Sequence, residues 1–298
     1  MSGFRMKRSL NAFEYFSPET IGEAVSIVAE YQREGLRVLA GGTDLLPMIM
    51  DRLVEPKYVL NLKNVSGLDA IHEGPEMAIG SLAKIVRIQE SRSIQERYLA
   101  IHEATKHFAT PQVRNMATIG GNICRSSPSA DLVPPLLVLD AELKLIGPAG
   151  ERRVLLEHFF TGPGTNVMDR EILTEIIIPP QEALLGTAFG KMTRNSADLA
   201  KVNVAVKIVM SHGRCDNIAI ALGGVAPTPV RASMTEELLK GRTMDQQILE
   251  EAVHQISREI APITDVRSTA QYRAQVTPIL VRKLLSQAIH RANATAAV

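Results

Sequence analysis

Two short segments of the 298-residue chain join paired glycines to a hydroxyl and to a carboxylate or an amide. The first is Val38-Leu39-Ala40-Gly41-Gly42-Thr43-Asp44-Leu45, and the second is Thr118-Ile119-Gly120-Gly121-Asn122-Ile123. Backbone without side chains reaches dihedrals closed to other residues, and successive N–H groups can then converge on a phosphate. In the first segment a short apolar stretch delivers the glycines to a helix start near Leu45. The Asp44 carboxylate would repel an anion there, so its expected work is to cap that helix, or to bond a ribose or a water on a pyrophosphate. The second segment is followed by Ser126-Ser127-Pro128-Ser129-Ala130-Asp131, the least regular and most small-residue-rich stretch of the chain. Taken singly, each is equally an ordinary turn. Together they fit two loops clamping one diphosphate, or two unrelated turns.

Other motif-like stretches carry less. Gly162-Pro163-Gly164-Thr165-Asn166-Val167 imitates the start of a dinucleotide fingerprint, but Val stands at its sixth position and no helical pattern follows. Gly186 to Met192 lacks both the spacing and the magnesium-binding hydroxyl of a P-loop. His102, Glu103 and His107 imitate a zinc helix, but a five-residue step sets the imidazoles on different faces, so no metal is expected. Cys124 and Cys215 are too few for a disulfide scaffold or a four-thiolate cluster. Lys plus Arg number 33 against 32 Asp plus Glu. A net charge of +1 offers no field to draw in nucleic acid. The longest apolar stretch, Leu132 to Leu139, is broken by Pro134-Pro135 and falls far short of a membrane span. No secretory apolar region follows Arg5, Lys7 and Arg8, and a cytoplasmic location is expected.

The elements around the glycines follow from periodicity. A helix capped by Ser17 carries Ile21, Ala24, Val25 and Val28 on one face and ends at Gly35. Strands are expected at Arg37–Ala40, Tyr58–Leu62 and Met77–Ile79. Helices are expected from Ser81 to Gln89 and from Ile94 to Lys106. Glu142–Ile146, Arg153–Leu156 and Ile172–Ile178 read as extended, and Pro179-Pro180 closes that region. Beyond it, strands at Thr187–Met192, Val202–Met210 and Asn217–Val225 precede three helices near Met234–Lys240, Asp245–Glu259 and Thr269–His290. Strands followed by helices in blocks indicate α+β architecture. The expected domains are 1–180, with a subdomain break near 57, and 181–298, an antiparallel sheet with helices on one face.

With those residues in view, Ala40-Gly41-Gly42-Thr43-Asp44-Leu45 paired with Ala117-Thr118-Ile119-Gly120-Gly121-Asn122-Ile123 resembles the FAD-binding medium subunit of molybdenum hydroxylases. That family includes xanthine and carbon monoxide dehydrogenases. The likeness extends to Phe13-Glu14-Tyr15-Phe16-Ser17-Pro18, to Ser127-Pro128-Ser129-Ala130-Asp131, and to Phe189-Gly190-Lys191-Met192-Thr193-Arg194 with Asp198-Leu199-Ala200-Lys201-Val202. It closes with Asp265-Val266-Arg267-Ser268 and Tyr272-Arg273. The resemblance implies a PCMH-type FAD domain of two subdomains followed by a C-terminal α+β domain. It also implies roles for single residues. Leu39, Ala40, Gly41, Gly42, Thr43, Asp44 and Leu45 in one loop, with Thr118, Ile119, Gly120, Gly121 and Asn122 in the other, would bind the FAD pyrophosphate through backbone amides. Phe108 would sit near the cofactor, Asp131 would bond its polar portion, and Leu173 would touch the adenine. Lys191 would meet the flavin region, and Leu199 would pack near the ring.

By the same resemblance the chain is an oxidoreductase subunit with no catalytic acid or base of its own. Electrons would arrive from an iron–sulfur small subunit, downstream of a molybdopterin large subunit, and leave to NAD or a quinone. The rivals are a free-standing flavin oxidoreductase, for which no acid–base constellation stands out, and a cofactor-free assembly subunit, against which the intact glycine pairs speak. The four-cysteine insert of benzoyl-CoA-type reductases is missing, so no cluster is expected in this chain.

Overall fold

The computed structural model describes residues 11–181 and 185–295. The chain opens with β1 (Glu14–Phe16), α1 (Ile21–Tyr31), β2 (Leu36–Leu39), α2 (Leu45–Met50) and β3 (Tyr58–Asn61). Both β1 and β2 run parallel to β3, which lies between them. The cap of α1 is Thr20 rather than Ser17. The Thr20 hydroxyl accepts from Glu23 N–H, and the Glu23 carboxylate accepts from Thr20 N–H, so two end donors are satisfied reciprocally. Ala24, Val25 and Val28 are the buried stripe of α1, and the rings of Phe16, Tyr31 and Tyr58 stack beside it. A subdomain break near 57 would cut β3 from its own sheet; the first unit runs through Asn61.

The second unit holds β4 (Ile71–His72), β5 (Met77–Gly80), α3 (Ile85–Glu90), α4 (Arg92–Arg97), α5 (Leu99–Lys106), α6 (Pro111–Arg114), α7 (Ile119–Cys124) and α8 (Val133–Val138). It continues through β6 (Glu142–Gly147), β7 (Gly150–Leu155), β8 (Phe160–Gly162), β9 (Thr165–Asn166) and β10 (Ile172–Ile178). Its five-stranded antiparallel sheet has the order β4-β5-β10-β6-β7. The single helix expected over Ile94 to Lys106 is two helices. Tyr98 leaves helical dihedrals at φ −132° and ψ 55°, and its ring is 1% exposed in the middle core. The Gly162 to Val167 stretch is a hairpin turn, not a nucleotide loop.

The third unit is β11 (Leu185–Met192), β12 (Val202–Ser211), β13 (Arg214–Gly223) and β14 (Val230–Arg231), then α9 (Ser233–Leu239), α10 (Gln246–Ile256) and α11 (Ala270–Thr295). Its four strands pair antiparallel in sequence order. Successive side chains of a strand point to opposite faces, and β12 shows what that does here. Val204, Val206 and Ile208 join the core beneath α9, α10 and α11, whereas Ala205 joins the middle core of the second unit. The helices of this unit therefore cover one face of the sheet, as expected, and α5 and α8 of the second unit cover the other. On that second face Asn203, Ala205, Lys207, Ala219 and Ala221 are small or polar, and Phe189 is a large apolar side chain among them. Lys207 Nζ donates to Asp140 Oδ2 at 2.6 Å, and Arg231 Nη1 donates to Asp140 Oδ1 at 3.0 Å. The face that meets the rest of the chain is thus pinned by directed bonds.

Candidate cofactor-binding site

The two glycine loops lie against each other. A Cβ at Gly41 would fall 2.2 Å from Met116 O and 2.9 Å from Ala117 Cα, so only glycine lets the first loop rest on the residues that lead into the second. Gly42 follows at φ +79°, in the left-handed region that glycine adopts without penalty. The turn then closes through Leu46 N–H to Gly42 O and Met48 N–H to Asp44 O. Among the described residues no acceptor meets the N–H of Gly41, Gly42, Thr43, Asp44 or Leu45. Five consecutive open donors in one turn suit a diphosphate.

Asp44 occupies the cap position of α2, yet its side chain makes no capping bond. Its carboxylate lies instead 3.7 Å from Arg125 Nε, in the segment after the second loop. That contact ties the loops together a second time and offsets a negative charge beside the open amides.

The second loop is built differently from the expectation that both present amides. Thr118 caps α7, its hydroxyl accepting from Gly121 N–H at 3.1 Å. Ile119 N–H donates to Ala83 O, Gly120 N–H to Ser81 O and Asn122 N–H to Thr118 O. Only Thr118 among these five keeps an N–H without an acceptor among the described residues. Gly120 is buried against Ser81, whose backbone oxygen would lie 2.6 Å from an added Cβ. Asn122 Oδ1 accepts from Leu132 N–H, and no acceptor is found for its Nδ2 among the described residues. This loop supplies a wall, one amide and one side-chain donor.

Behind it the chain is fastened from two sides. Ser126, at φ 51°, accepts at its backbone oxygen from Gly164 N–H and at its hydroxyl from Asn166 Nδ2. Further on, Asp131 is a buried carboxylate between Lys191 Nζ at 2.8 Å and Asn203 Nδ2 at 3.2 Å. Asn203 also donates to Ala130 O, and Gly224 N–H donates to Pro128 O, so the third unit grips this segment directly. Burial pushes the Asp131 carboxyl above its ordinary range, and Lys191 and Asn203 pull against that rise. Lys191 Nζ also donates to Asp198 O, which brings the Leu199 loop to the same place.

The remaining expected residues are dispersed. Leu39 is the buried last residue of β2, with Ala40 half-buried after it. Phe108 is half-buried against the middle core, its carbonyl accepting from Arg114 Nη1. Leu173 is 3% exposed, its side chain inside that same core, whereas Leu199 stands 55% exposed. Sequence reasoning missed Arg125, Ser126, Asn166 and Asn203. Asn203 alone left a signal, as a polar residue inside a mostly apolar strand. Burial pushes the Cys124 thiol up to about 12. No group of three or more His, Cys, Asp or Glu side chains gathers among the described residues, nor is any helix there long and apolar enough to cross a membrane.

An amide-lined turn braced against a second glycine loop, in an α+β chain of this build, defines a dinucleotide-binding protein. Residues 11–181 match the FAD binding domain in molybdopterin dehydrogenase, and residues 187–288 match the CO dehydrogenase flavoprotein C-terminal domain. The carbon monoxide dehydrogenase medium chain of Afipia carboxidovorans is 32% identical, over 95% of this chain and 98% of its own length. The xanthine dehydrogenase FAD-binding subunit of Escherichia coli O157:H7 is 29% identical, over 94% and 97%. Carbon monoxide dehydrogenase from Hydrogenophaga pseudoflava, in a form lacking the Mo-pyranopterin moiety, superposes with a TM-score of 0.92 at 32% identity, covering 95% of this chain and 99% of that one. The chain belongs to the family of FAD-binding domains of molybdopterin dehydrogenases: it is an oxidoreductase subunit, and its cofactor is FAD.

Proposed function

We propose that this chain is the electron-transfer subunit of a molybdenum hydroxylase complex. It would stand between an iron–sulfur small subunit, working with a molybdopterin large subunit, and an external acceptor such as NAD or a quinone. Bound FAD supplies a centre that accepts electrons singly and releases them as a pair. The protein's part is to hold and shield it. The open amides of Gly41 to Leu45 would hold the pyrophosphate, with Thr118 N–H and Asn122 Nδ2 facing them from the second loop. The exposed Gly121 would keep that wall free of a side chain, while Gly120 lets it pack on Ser81. Phe108, Leu173 and Leu199 would border the rings, the exposed Leu199 by its side chain and the buried Leu173 by its backbone. Lys191, fixed by Asp131, would present a positive charge in a water-poor place beside the flavin. Functionally the chain divides at 180: residues 1–180 hold the cofactor, and residues 181–298 close over it through Asn203 and Lys191.

The observation that carries this reading is the row of five unpartnered amides. The molybdenum partner is supported by relatives named as medium chains of carbon monoxide and glyceraldehyde dehydrogenases, or as a caffeine dehydrogenase subunit. Such different names at similar identity also support a substrate pocket on another polypeptide. Purification from its own cells tests the proposal. A complex carrying FAD, iron and molybdenum in fixed ratio is expected, and a yellow chain that elutes alone, with neither metal, overturns the complex.

A further inference from the structure

A cavity of about 520 Å³ opens where α5, β11 and α11 meet, apart from the glycine loops. Its volume falls among pockets for single small molecules, roughly 300–1,000 Å³. One wall is apolar, from Val276, Ile279, Leu280 and Leu284 of α11. Lys283, on the same helix one turn after Ile279, and His107, just after α5, also line the cavity, and neither has a carboxylate within ion-pair distance among the described residues. Glu103 also lies on the wall, but its carboxylate is taken up by Arg291 at 2.6 Å and by Phe189 N–H at 2.9 Å. No free anion therefore repels an electron-rich ligand.

The floor is the edge strand β11. Phe189 turns its N–H outward to Glu103, and alternate residues of an antiparallel strand direct their backbone groups to the same side. Lys191 accordingly turns its own N–H to the cavity, while its side chain ends at Asp131 below. The pocket thus offers an apolar wall, an ammonium and an imidazole side chain, and an open amide.

The geometry points to a quinone-class ligand in this cavity: a flat apolar ring with carbonyl oxygens that accept from Lys283, His107 and the backbone. This inference rests on the reading above, in which an external acceptor must reach this chain, and it chooses between the two acceptor classes. A nicotinamide dinucleotide fits the described lining poorly, because that lining holds neither an arginine nor a row of open amides for a diphosphate.

Equilibrium dialysis of the full-length chain against 2,3-dimethoxy-5-methyl-1,4-benzoquinone, and separately against NAD, tests it. One saturable quinone site per chain is expected, with no saturable NAD binding. Ile279→Trp, at a position 68% exposed on the cavity lip, should weaken the quinone at least tenfold. Lys283→Gln should weaken it several-fold. The inference fails if NAD binds instead, if no saturable quinone site exists, or if both variants bind quinone as the parent does. Flavin content, read from visible absorbance of the same samples, judges the flavoprotein reading separately. The titration decides the quinone site whether the chain is yellow or colourless.

Discussion

The two glycine loops look alike on paper and are opposite in construction. At Gly41 to Leu45 five donors stay open among the described residues, and the glycines serve close approach and a left-handed turn. At Thr118 to Asn122 four of five amides are already spent on Ser81, Ala83 and Thr118, and Gly120 serves close packing on Ser81. One loop is a set of hands and the other a rigid wall. A ligand clamp needs both, because donors help only where the opposing surface fixes the distance at which they act. A Gly-Gly pair therefore announces close backbone approach, and what approaches can be a ligand or another part of the same chain.

Four substitutions probe that difference. Lys191→Met should have the largest effect, since it strands Asp131 as a buried unpaired carboxylate behind the wall. A loss of about 3–5 kcal/mol in urea-unfolding stability is expected. Gly41→Ala drives a methyl into Met116 O and should cost about 1–3 kcal/mol while also emptying the site of flavin. Comparable flavin content in that variant and the parent would break the assignment of the first loop. Thr118→Val removes the α7 cap and should cost about 1 kcal/mol, with a smaller loss of FAD affinity than Gly41→Ala. The reverse order would mean the wall, not the open loop, dominates binding.

The smallest effect is pH-dependent. Arg152 holds Glu171 through two bonds of 2.6 and 2.8 Å and also donates to Val167 O, beside the hairpin that supports Ser126. Its guanidinium keeps the Glu171 carboxyl below the usual range. A depressed carboxyl stabilises the fold above its unfolded pKa, about 4.3, and that contribution fades as pH falls through the lower folded value. Arg152→Gln should therefore lower the thermal midpoint at pH 7, and the gap to the parent should close on acidification below about pH 4. A gap that widens there would contradict the assignment.

Much of this was readable in advance, for definite reasons. The β12 run from Val202 announced itself because its alternate residues Val204, Val206 and Ile208 form one continuous apolar face, as a sheet packed beneath helices needs. Gly41-Gly42 stood out because few structures other than a tight approach require consecutive glycines after a strand. What stayed hidden depends on residues distant in the chain. The second loop loses its amides to Ser81 and Ala83, which no local pattern connects to Gly120. Asp44 read as a cap or a ribose ligand because Arg125 could not be placed beside it from sequence. Likewise no local pattern joins Lys191 to Asp131 and Asp198, which hold its ammonium in the fold. Tyr98 breaks an otherwise continuous helical pattern because core packing outweighs local preference, a decision made in three dimensions.

Amide hydrogen exchange on the chain with and without FAD tests the central claim most directly. The amides of Gly41 to Leu45 should exchange quickly in the free chain and become strongly protected with FAD, while those of Ile119 to Asn122 should be protected from the start and change little. Protection gained at Ile119 to Asn122, with Gly41 to Leu45 unchanged, would contradict the account.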